Sequence, residues 1–264
     1  MLAGFEAYAP DMAYSGGGFN PEAFAGLARL EAGHFWFRAR NELLLWILRT
    51  YRPGLASFLE IGCGTGHVLA GVAGSFPLAE IFGSEIFIDG LYYAKKRVPK
   101  ARLVQADARS LPFKEEFEVI GAFDVLEHIQ EDEKVLSSIF NALQPGGLFV
   151  STVPQHMWLW SPTDEQAYHV RRYENKALVG KLVSAGFKIL RSTSFVSLLL
   201  PVMALARFQK KRKKHDSGVS ELQLPPVLNA MFHSIMKIEF AGLRLGINYP
   251  VGGSRLIVAM KPSL

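Results

Sequence analysis

Strand-like apolar runs alternate with helix-like segments between residues 57 and 154, and this alternation constrains the fold more than any other feature. The strand-like runs are SFLEIG, AEIFGSEI, ARLVQAD, FEVIGAFDVL and LFVSTVP. The helix-like segments between them include GHVLAGVAGSF, GLYYAKKRV and DEKVLSSIFNALQ. Strands and helices that alternate at this spacing form a parallel sheet with right-handed crossovers. We therefore predict an α/β fold built on a doubly wound sheet.

A glycine-rich turn, LEIGCGTGHVLA, follows the first of these strands and opens the next helix. Its glycines would let backbone N–H groups approach a ligand at the positive end of that helix. Dinucleotide-binding turns usually have the spacing G-x-G-x-x-G, whereas this turn has G-x-G-x-G. Glu60 precedes the turn, where its carboxylate would repel a pyrophosphate and suit a cationic amino group. Three interpretations of the turn are possible at this point: it binds a dinucleotide, it binds S-adenosylmethionine, or it is purely structural. Glu60 favours S-adenosylmethionine, the ligand that carries an amino acid.

Two further acidic residues end the next two strands. Glu85 is placed to accept hydrogen bonds from both ribose hydroxyls of an adenosine, a device that dinucleotide enzymes share. Asp107, in QADARSLPF, could accept from the adenine amine or could simply cap a turn. Ligands of open α/β sheets bind at the carboxyl ends of successive strands, so the three positions together favour a ligand site.

The strand and turn motifs, in this order, resemble those of class I S-adenosylmethionine-dependent methyltransferases of the general small-molecule group. They are FLEIGCGTG, IFGSEI, VQADARSLPF, FEVIGAFDVLEHI and LQPGGLFVSTVP, and the resemblance covers about residues 30–155. It implies a Rossmann-like, mostly parallel sheet of seven strands whose last strand is antiparallel, with FKILRSTSF and SRLIVAM as the final two. It also implies S-adenosylmethionine as the cofactor and S-adenosylhomocysteine as the product.

The resemblance also implies which residues bind the cofactor. They are Glu60, Gly62, Cys63, Gly64 and Gly66 for the methionine part, Glu85 for the ribose, Asp107, Ala108 and Ile86 for the adenine, and Phe123 and Asp124 beside the methyl group. Cys63, the single cysteine, is interpreted as a small filler between glycines rather than a nucleophile. With one cysteine the chain has no disulfide framework and no thiolate zinc cluster.

We interpret the chain as a single methyltransferase domain with four parts. Residues 1–50 are an N-terminal leader and helix, 55–155 the cofactor-binding core, 156–250 an acceptor cap with a helical insertion, and 251–264 the final strand. The segment HFWFRAR, within the N-terminal helix, is expected to close the front of the cofactor pocket or simply to dock that helix.

The stretch QHMWLWSPTDEQAYHVRRY after the fifth strand is the candidate acceptor site. Methyl transfer is an in-line displacement that depends mostly on alignment, and a histidine is the usual base when the acceptor is a hydroxyl. Our candidates are His156 and His169 as the base, Trp158 and Trp160 as walls, and Arg171 and Arg172 as clamps for an anionic group. The alternative is a packed cap with surface arginines.

The segment FDVLEHI offers a second interpretation, a metal site. Asp124, Glu127 and His128 fall at i, i+3 and i+4, so one face of a helical turn could carry all three. With His156 or His169 they could bind a divalent cation. Glu-His at this position also occurs in family members that look metal-free, so the prediction is no metal.

Residues 195–214 combine an apolar stretch with a block of five cations, Lys210–Lys214. The net charge is +5, so without this block the chain would be near neutral. The segment is interpreted as a lid, a solvated linker or a peripheral contact with anionic membrane. Its apolar part is too short to span a bilayer, and the basic run lacks the interleaved aromatic residues typical of nucleic-acid binding.

We therefore predict methyl transfer to a small or lipid-linked acceptor, most favourably O-methylation of a hydroxyl, with C-methylation open. The expected location is cytoplasmic, with peripheral contact at the inner membrane face, and no nucleic-acid partner. Two alternatives remain, an NAD(P)-dependent oxidoreductase and a non-catalytic, membrane-associated module that keeps the fold.

Overall fold

A mixed sheet of eight strands forms the centre of the computed structural model, which describes residues 1–15, 18–210 and 224–263. The strands are β1 (Glu6–Ala7), β2 (Ser57–Ile61), β3 (Glu80–Glu85), β4 (Arg102–Gln105), β5 (Phe117–Phe123), β6 (Leu143–Pro154), β7 (Lys188–Phe195) and β8 (Ser254–Met260). Their order across the sheet is β1-β4-β3-β2-β5-β6-β8-β7. The five strands predicted between residues 57 and 154 are β2 to β6.

The strands β1 to β6 pair in parallel, and β8 runs antiparallel to both of its neighbours, β6 and β7. The α/β class and the antiparallel last strand are thus confirmed. The sheet has eight strands rather than seven, because the two-residue β1 adds to the edge beside β4. The side-chain amide of Gln105 holds the chain after β1 against this edge. It accepts a hydrogen bond from the N–H of Ala9 at 3.1 Å and donates one to the carbonyl of Ala9 at 2.7 Å.

Helices cover both faces of the sheet. They are α1 (Ala23–Leu30), α2 (Phe35–Tyr51), α3 (His67–Ser75), α4 (Ile88–Arg97), α5 (Asp132–Ala142), α6 (Pro162–Gln166), α7 (Asn175–Ser184), α8 (Leu200–Lys210) and α9 (Pro226–Arg244). Helices α2, α3, α4 and α9 pack into one apolar core, and α5 and α7 into a second one.

Alternation along the strands explains why two cores form. Successive side chains of a strand point to opposite faces of its sheet. In β5, Val119 belongs to the core under α2 and α3, and its neighbour Ile120 to the core under α5 and α7. In β6, Leu148 and Phe149 divide in the same way. All four are fully or almost fully buried, so their faces are fixed and the strand register is fixed with them.

The region 156–250 holds helices α6 to α9 and also the sheet strand β7. None of the described helices is long and apolar enough to cross a membrane. Residues 211–223, with most of the basic block predicted to contact membrane, lie outside the described residues.

Candidate functional site

A cavity of about 900 Å³ opens at the carboxyl ends of the parallel strands. This volume lies at the upper end of the roughly 300–1,000 Å³ that small-molecule sites occupy. The predicted cofactor-binding residues that line it are Glu60, Gly62, Cys63, Gly64, Glu85, Ile86, Asp107, Ala108, Phe123 and Asp124. Gly66 does not line it. One space therefore brings together residues from the ends of four strands.

Two glycines of the turn after β2 lie where neighbouring atoms leave no room for a side chain. Gly62 and Gly66 both have positive φ values, of 62° and 75°. A Cβ atom on Gly62 would lie 2.6 Å from a methyl group of Val125, and one on Gly66 would lie 3.0 Å from the Cα of Ala94 in α4. Gly66 thus permits close contact between the start of α3 and α4 rather than lining the ligand site.

Cys63 is buried between these glycines. Burial, followed by the charges of Glu85 and Glu60, raises the pKa of its thiol well above the usual value. A protonated, inaccessible thiol is a poor nucleophile. The arrangement fits the interpretation of Cys63 as a small filler.

Glu60 lines this space and has one unsatisfied carboxylate oxygen. Its side chain is buried, and its Oε2 has no hydrogen-bond partner within the described part of the chain. Burial raises the pKa of Glu60 well above the usual value, against the lowering effect of the Arg40 charge. A buried carboxylate without a partner is costly, so a cationic group of a ligand would be bound favourably beside it.

Glu85 is held by three backbone groups. Its carboxylate accepts from the N–H of Gly64 at 3.0 Å, of Ile86 at 2.8 Å and of Phe87 at 3.2 Å. Burial raises the pKa of Glu85, and the three hydrogen bonds oppose that rise. The carboxylate is therefore fixed in place at the end of β3, where it lines the cavity.

Asp107 caps a turn, one of the two interpretations of this residue, and it also lines the cavity. Its carboxylate accepts from the N–H of Arg109 at 2.9 Å and forms an ion pair with the Arg109 guanidinium at 2.7 Å. Burial acts to raise the pKa of Asp107, but the hydrogen bonds and charge of Arg109 outweigh it and lower the pKa. Asp107 is thus ionised and fixed beside Ala108.

Helix α2 supplies residues that the motif comparison did not include. Phe35, Trp36 and Arg40, all from HFWFRAR, line the cavity, as expected for a helix at the front of the pocket. Arg40 forms an ion pair with Asp124 and lies over the Trp36 ring at 4.4 Å. Asp124 has a φ of 58°, so the backbone turns sharply where β5 ends.

Of the six acceptor-site candidates, only His169 and Arg172 line this cavity. His156 has a φ of 65° and directs its Nδ1 to Glu174 at 3.1 Å, with its ring stacked on Trp158. The Trp160 indole donates to Glu165 at 3.3 Å. Four of the candidates therefore lie outside the lining of this cavity: His156, Trp158, Trp160 and Arg171.

The two arginines predicted as clamps are both paired within the protein. Arg171 forms an ion pair with Asp132 at 2.5 Å, which fixes it against the start of α5. Arg172 forms one with Asp164 at 2.7 Å. Each of these arginines thus has a counter-ion within the protein, and its role as a clamp for an anionic acceptor stays a prediction.

Asp164 is the centre of a buried cluster beside the cavity. It accepts from His169 Nδ1 at 2.9 Å and pairs with Arg172 and, at 2.7 Å, with Arg207 of α8. Burial opposes ionisation, but the His169 hydrogen bond and the two arginine charges outweigh it and lower the pKa of Asp164. The cluster joins α8 to the chain that follows β6.

Glu127 and His128 lie next to His169. They form a 3-10 turn, Leu126–His128, rather than one face of an α-helical turn with Asp124. The His128 and His169 rings are 4.8 Å apart. Burial, followed by the His169 charge, lowers the pKa of His128 to about 4, so His128 is neutral at pH 7.

Comparisons with known proteins agree with this site. Residues 59–151 match the family described as methyltransferase domain. A probable S-adenosylmethionine-dependent methyltransferase of Mycolicibacterium smegmatis is 27% identical over 164 residues, 59% of this chain and 60% of that protein. A trans-aconitate 2-methyltransferase of Variovorax paradoxus is 30% identical over 120 residues, 45% of each chain. The chain thus spans about half to three fifths of the length of these relatives.

Solved structures share the fold at low sequence identity. The [4+2]-cyclase SpnF has a TM-score of 0.60 at 19% identity, over 87% of this chain and 83% of that one. A Haemonchus contortus phosphoethanolamine N-methyltransferase, solved with S-adenosylmethionine, has a TM-score of 0.55 at 21% identity, over 84% of this chain and 53% of that one. The family match favours S-adenosylmethionine over a dinucleotide. Residues 59–151 are thus similar to a methyltransferase domain, and the named relatives of this chain include S-adenosylmethionine-dependent methyltransferases.

Proposed function

We propose that this protein transfers the methyl group of S-adenosylmethionine to a hydroxyl of a small or lipid-linked acceptor. The observation that carries the proposal is the composition of the cavity. The predicted cofactor residues line one part of it, and apolar side chains from α8, α9 and the residues beside them line another. One space of about 900 Å³ thus has a polar, carboxylate-rich part for the cofactor and an apolar part for an acceptor.

The amino-acid end of the cofactor fits beside Glu60 and Arg40. The unpartnered Oε2 of Glu60 suits the ammonium group, and the Arg40 guanidinium, whose Nε lacks a hydrogen-bond partner among the described residues, suits the carboxylate. The ammonium group would then give Glu60 Oε2 the partner that it lacks, and the ligand carboxylate would lie beside the ion pair of Arg40 with Asp124.

The adenosine end fits along the ends of β3 and β4. Glu85, fixed by three backbone N–H groups, is placed to accept from the ribose hydroxyls. Asp107, Ala108 and Ile86 line the same cavity, and in this proposal Asp107 and Ala108 contact the adenine edge and Ile86 its face. Phe123 and Asp124, at the end of β5, lie beside the methyl group in this arrangement.

The reaction needs alignment, exclusion of water and removal of one proton. When bound, the cofactor supplies a methyl group on a positively charged sulfur, which any well-aligned nucleophile can take. His169 is the candidate for handling the acceptor proton, because it lines the cavity and its Nδ1 is held by Asp164, which leaves Nε2 for the acceptor. Methyltransferases among the relatives are named for several kinds of small-molecule acceptor, including a ubiquinone O-methyltransferase and an amino-sugar N,N-dimethyltransferase.

The apolar wall favours an acceptor with a hydrocarbon part. Its residues from the α8 and α9 regions are Leu199, Val202, Met203, Ala206, Leu224 and Phe232. A wall of this kind contributes about 25 cal/mol for each Å² of apolar ligand surface that it removes from water. Lipid-linked and quinone-like alcohols carry both that surface and the hydroxyl.

An acceptor screen with methyl-labelled S-adenosylmethionine tests the proposed function. Purified protein is incubated with lipid, quinone and sugar extracts, and the label is followed in each product fraction. We expect labelled product in the organic phase, with the label on an ether or ester oxygen. Label confined to water-soluble products would contradict the lipid-linked acceptor, and a carbon-linked label would contradict O-methylation.

The same two helices present apolar side chains on the outside of the protein. These exposed residues are Leu205, Phe208, Val227, Leu228 and Met231. In the sequence they flank the segment that contains the basic block. We include in the proposal that this surface and the block contact an anionic membrane from its cytoplasmic side, which brings the cavity to a lipid-borne acceptor.

Neutralising the block Lys210–Lys214 with glutamine is expected to abolish binding to vesicles that contain anionic phospholipid. Each cation near such a surface contributes about 1 kcal/mol, so five of them dominate the attraction. Cosedimentation at low ionic strength measures the binding, and a matched variant that neutralises the exposed Lys95, Lys96 and Lys100 should bind like the parent. Affinity for S-adenosylhomocysteine should be unchanged in both. A parent protein that never cosediments would remove membrane contact from the proposal.

A further inference from the structure

Three ligating side chains meet at the acceptor end of the cavity. Glu127, His128 and His169 each offer one ligand atom, and the three atoms lie within 4.8 Å of one another. All three residues line the cavity. An ion with bonds of about 2.1 Å to each ligand would bring these atoms to within about 3–4 Å of one another. The side chains therefore need shifts of only about 1 Å to share one ion.

Glu127 is the strongest sign that something is bound here. Its side chain has no exposure to solvent, and neither carboxylate oxygen has a hydrogen-bond partner among the described residues. Leaving a buried carboxyl group without a partner costs about 1–3 kcal/mol or more. A cation between the carboxylate and the two imidazoles would give one of these oxygens a ligand bond and reduce that cost.

Each imidazole offers a nitrogen to an ion. His169 Nδ1 is bound to Asp164, which is fixed in turn by Arg172 and Arg207, so its Nε2 remains. The Nδ1 of His128 is buried and has no partner among the described residues. Histidines that bind metals usually have their second nitrogen held by a carboxylate or a carbonyl, as His169 has.

We propose that Glu127, His128 and His169 together bind one divalent first-row transition-metal ion. Two imidazole nitrogens and one carboxylate oxygen suit Zn²⁺, Co²⁺, Mn²⁺ or Fe²⁺ and leave further coordination positions open towards the cavity. Asp124, which the sequence grouped with Glu127 and His128, is not part of the set because it pairs with Arg40. This proposal departs from the metal-free interpretation of the sequence.

The role of this ion in the reaction rests on the proposed function. It would also change the role of His169. A cation lowers the pKa of a hydroxyl that it ligates, so the acceptor would lose its proton to solvent without a side-chain base. The methyl carbon then forms a bond to that oxygen as its bond to sulfur breaks, and S-adenosylhomocysteine is released. His169 would serve as a ligand, positioned by Asp164, rather than as the base.

Cobalt binding to the chelator-treated full-length protein tests the site. Titration with Co²⁺ should show one equivalent bound, with visible d–d absorption that Zn²⁺ abolishes by competition. The Glu127→Gln and His169→Gln variants each remove one ligand of the ion. Each should lower the affinity for Co²⁺ by more than about 10- to 100-fold, which is the loss expected when only a residue that supports a ligand is removed. His233→Gln, a substitution outside the cavity lining in a histidine paired with Glu42, should bind Co²⁺ like the parent.

Calorimetric titration with S-adenosylhomocysteine, on the same proteins, separates failure of this proposal from failure of the proposed function. Parent protein that binds S-adenosylhomocysteine but no Co²⁺ overturns the metal site and leaves the methyltransferase function standing. Equal Co²⁺ affinity in all variants also overturns it, because the ion would then bind elsewhere. Co²⁺ binding that the two variants lose, in protein without affinity for S-adenosylhomocysteine, supports the metal site and contradicts the proposed function.

Discussion

Replacing Asp164 with alanine is expected to lower the free energy of unfolding by about 3–5 kcal/mol. Asp164 is buried, and it is the shared partner of His169, Arg172 and Arg207. The Arg172 side chain is only 3% exposed, so the substitution leaves a buried positive charge without its counter-ion. Removing one partner of a buried pair costs far more than the pair itself contributes, since the remaining charge cannot be solvated.

Chemical denaturation measures this loss, and two further variants make it specific to the charge. Glu165→Ala, at the exposed neighbouring position, should change stability by less than about 0.5 kcal/mol. The double variant Asp164→Ala with Arg172→Met should be more stable than Asp164→Ala alone, because the unpaired cation is gone. If the single and double variants are equally unstable, the loss comes from packing and not from the buried charge.

Glu85→Ala is expected to weaken binding of S-adenosylhomocysteine by about 5- to 150-fold, which corresponds to about 1–3 kcal/mol. The carboxylate is fixed by three backbone N–H groups at the end of β3, so its orientation is set before any ligand binds. Hydrogen bonds from the ribose hydroxyls to this fixed, charged carboxylate are stronger than hydrogen bonds between two neutral groups. Isothermal titration calorimetry gives the change directly.

A control on the same strand separates this effect from damage to the sheet. Glu80 begins β3, and its side chain is exposed, so Glu80→Ala should leave the affinity unchanged. Because Glu85 also holds the turn after β2 through Gly64, thermal unfolding of both variants must be followed in parallel. A folded Glu85→Ala protein with parental affinity would show that the ribose assignment is wrong.

The part of the site that the sequence predicts well is the part built from strand ends. Glu60, Glu85 and Asp107 each sit at or directly after the end of a parallel strand, so the strand pattern alone places them at one edge of the sheet. Gly66 is a residue that the motif alone does not explain. Its place in the glycine motif suggested ligand contact, whereas the close approach of α4 is a tertiary contact that the local sequence does not reveal.

The acceptor end was harder to predict because it depends on contacts between distant segments. His156 and His169 lie in one stretch, and nothing local shows that a left-handed backbone at His156 directs it to Glu174. The pairing of His169 with His128 brings together residues from either side of β6. Arg40 likewise reaches Asp124 only after α2 has packed across the front of the sheet.

The position of β8 also has a consequence for the order in which this protein can assemble. Within the described sheet, β7 pairs with β8 alone, and β8 joins it to β6 through pairs such as Leu148 with Met260. The parallel strands can therefore associate while the chain is still being synthesised, whereas β7 has no edge to join until residues 254–260 are available. Contacts between such distant residues close large loops and form slowly. Until then, the β6 edge of the sheet is open to pairing with other chains, and this protein is most exposed to aggregation at that stage.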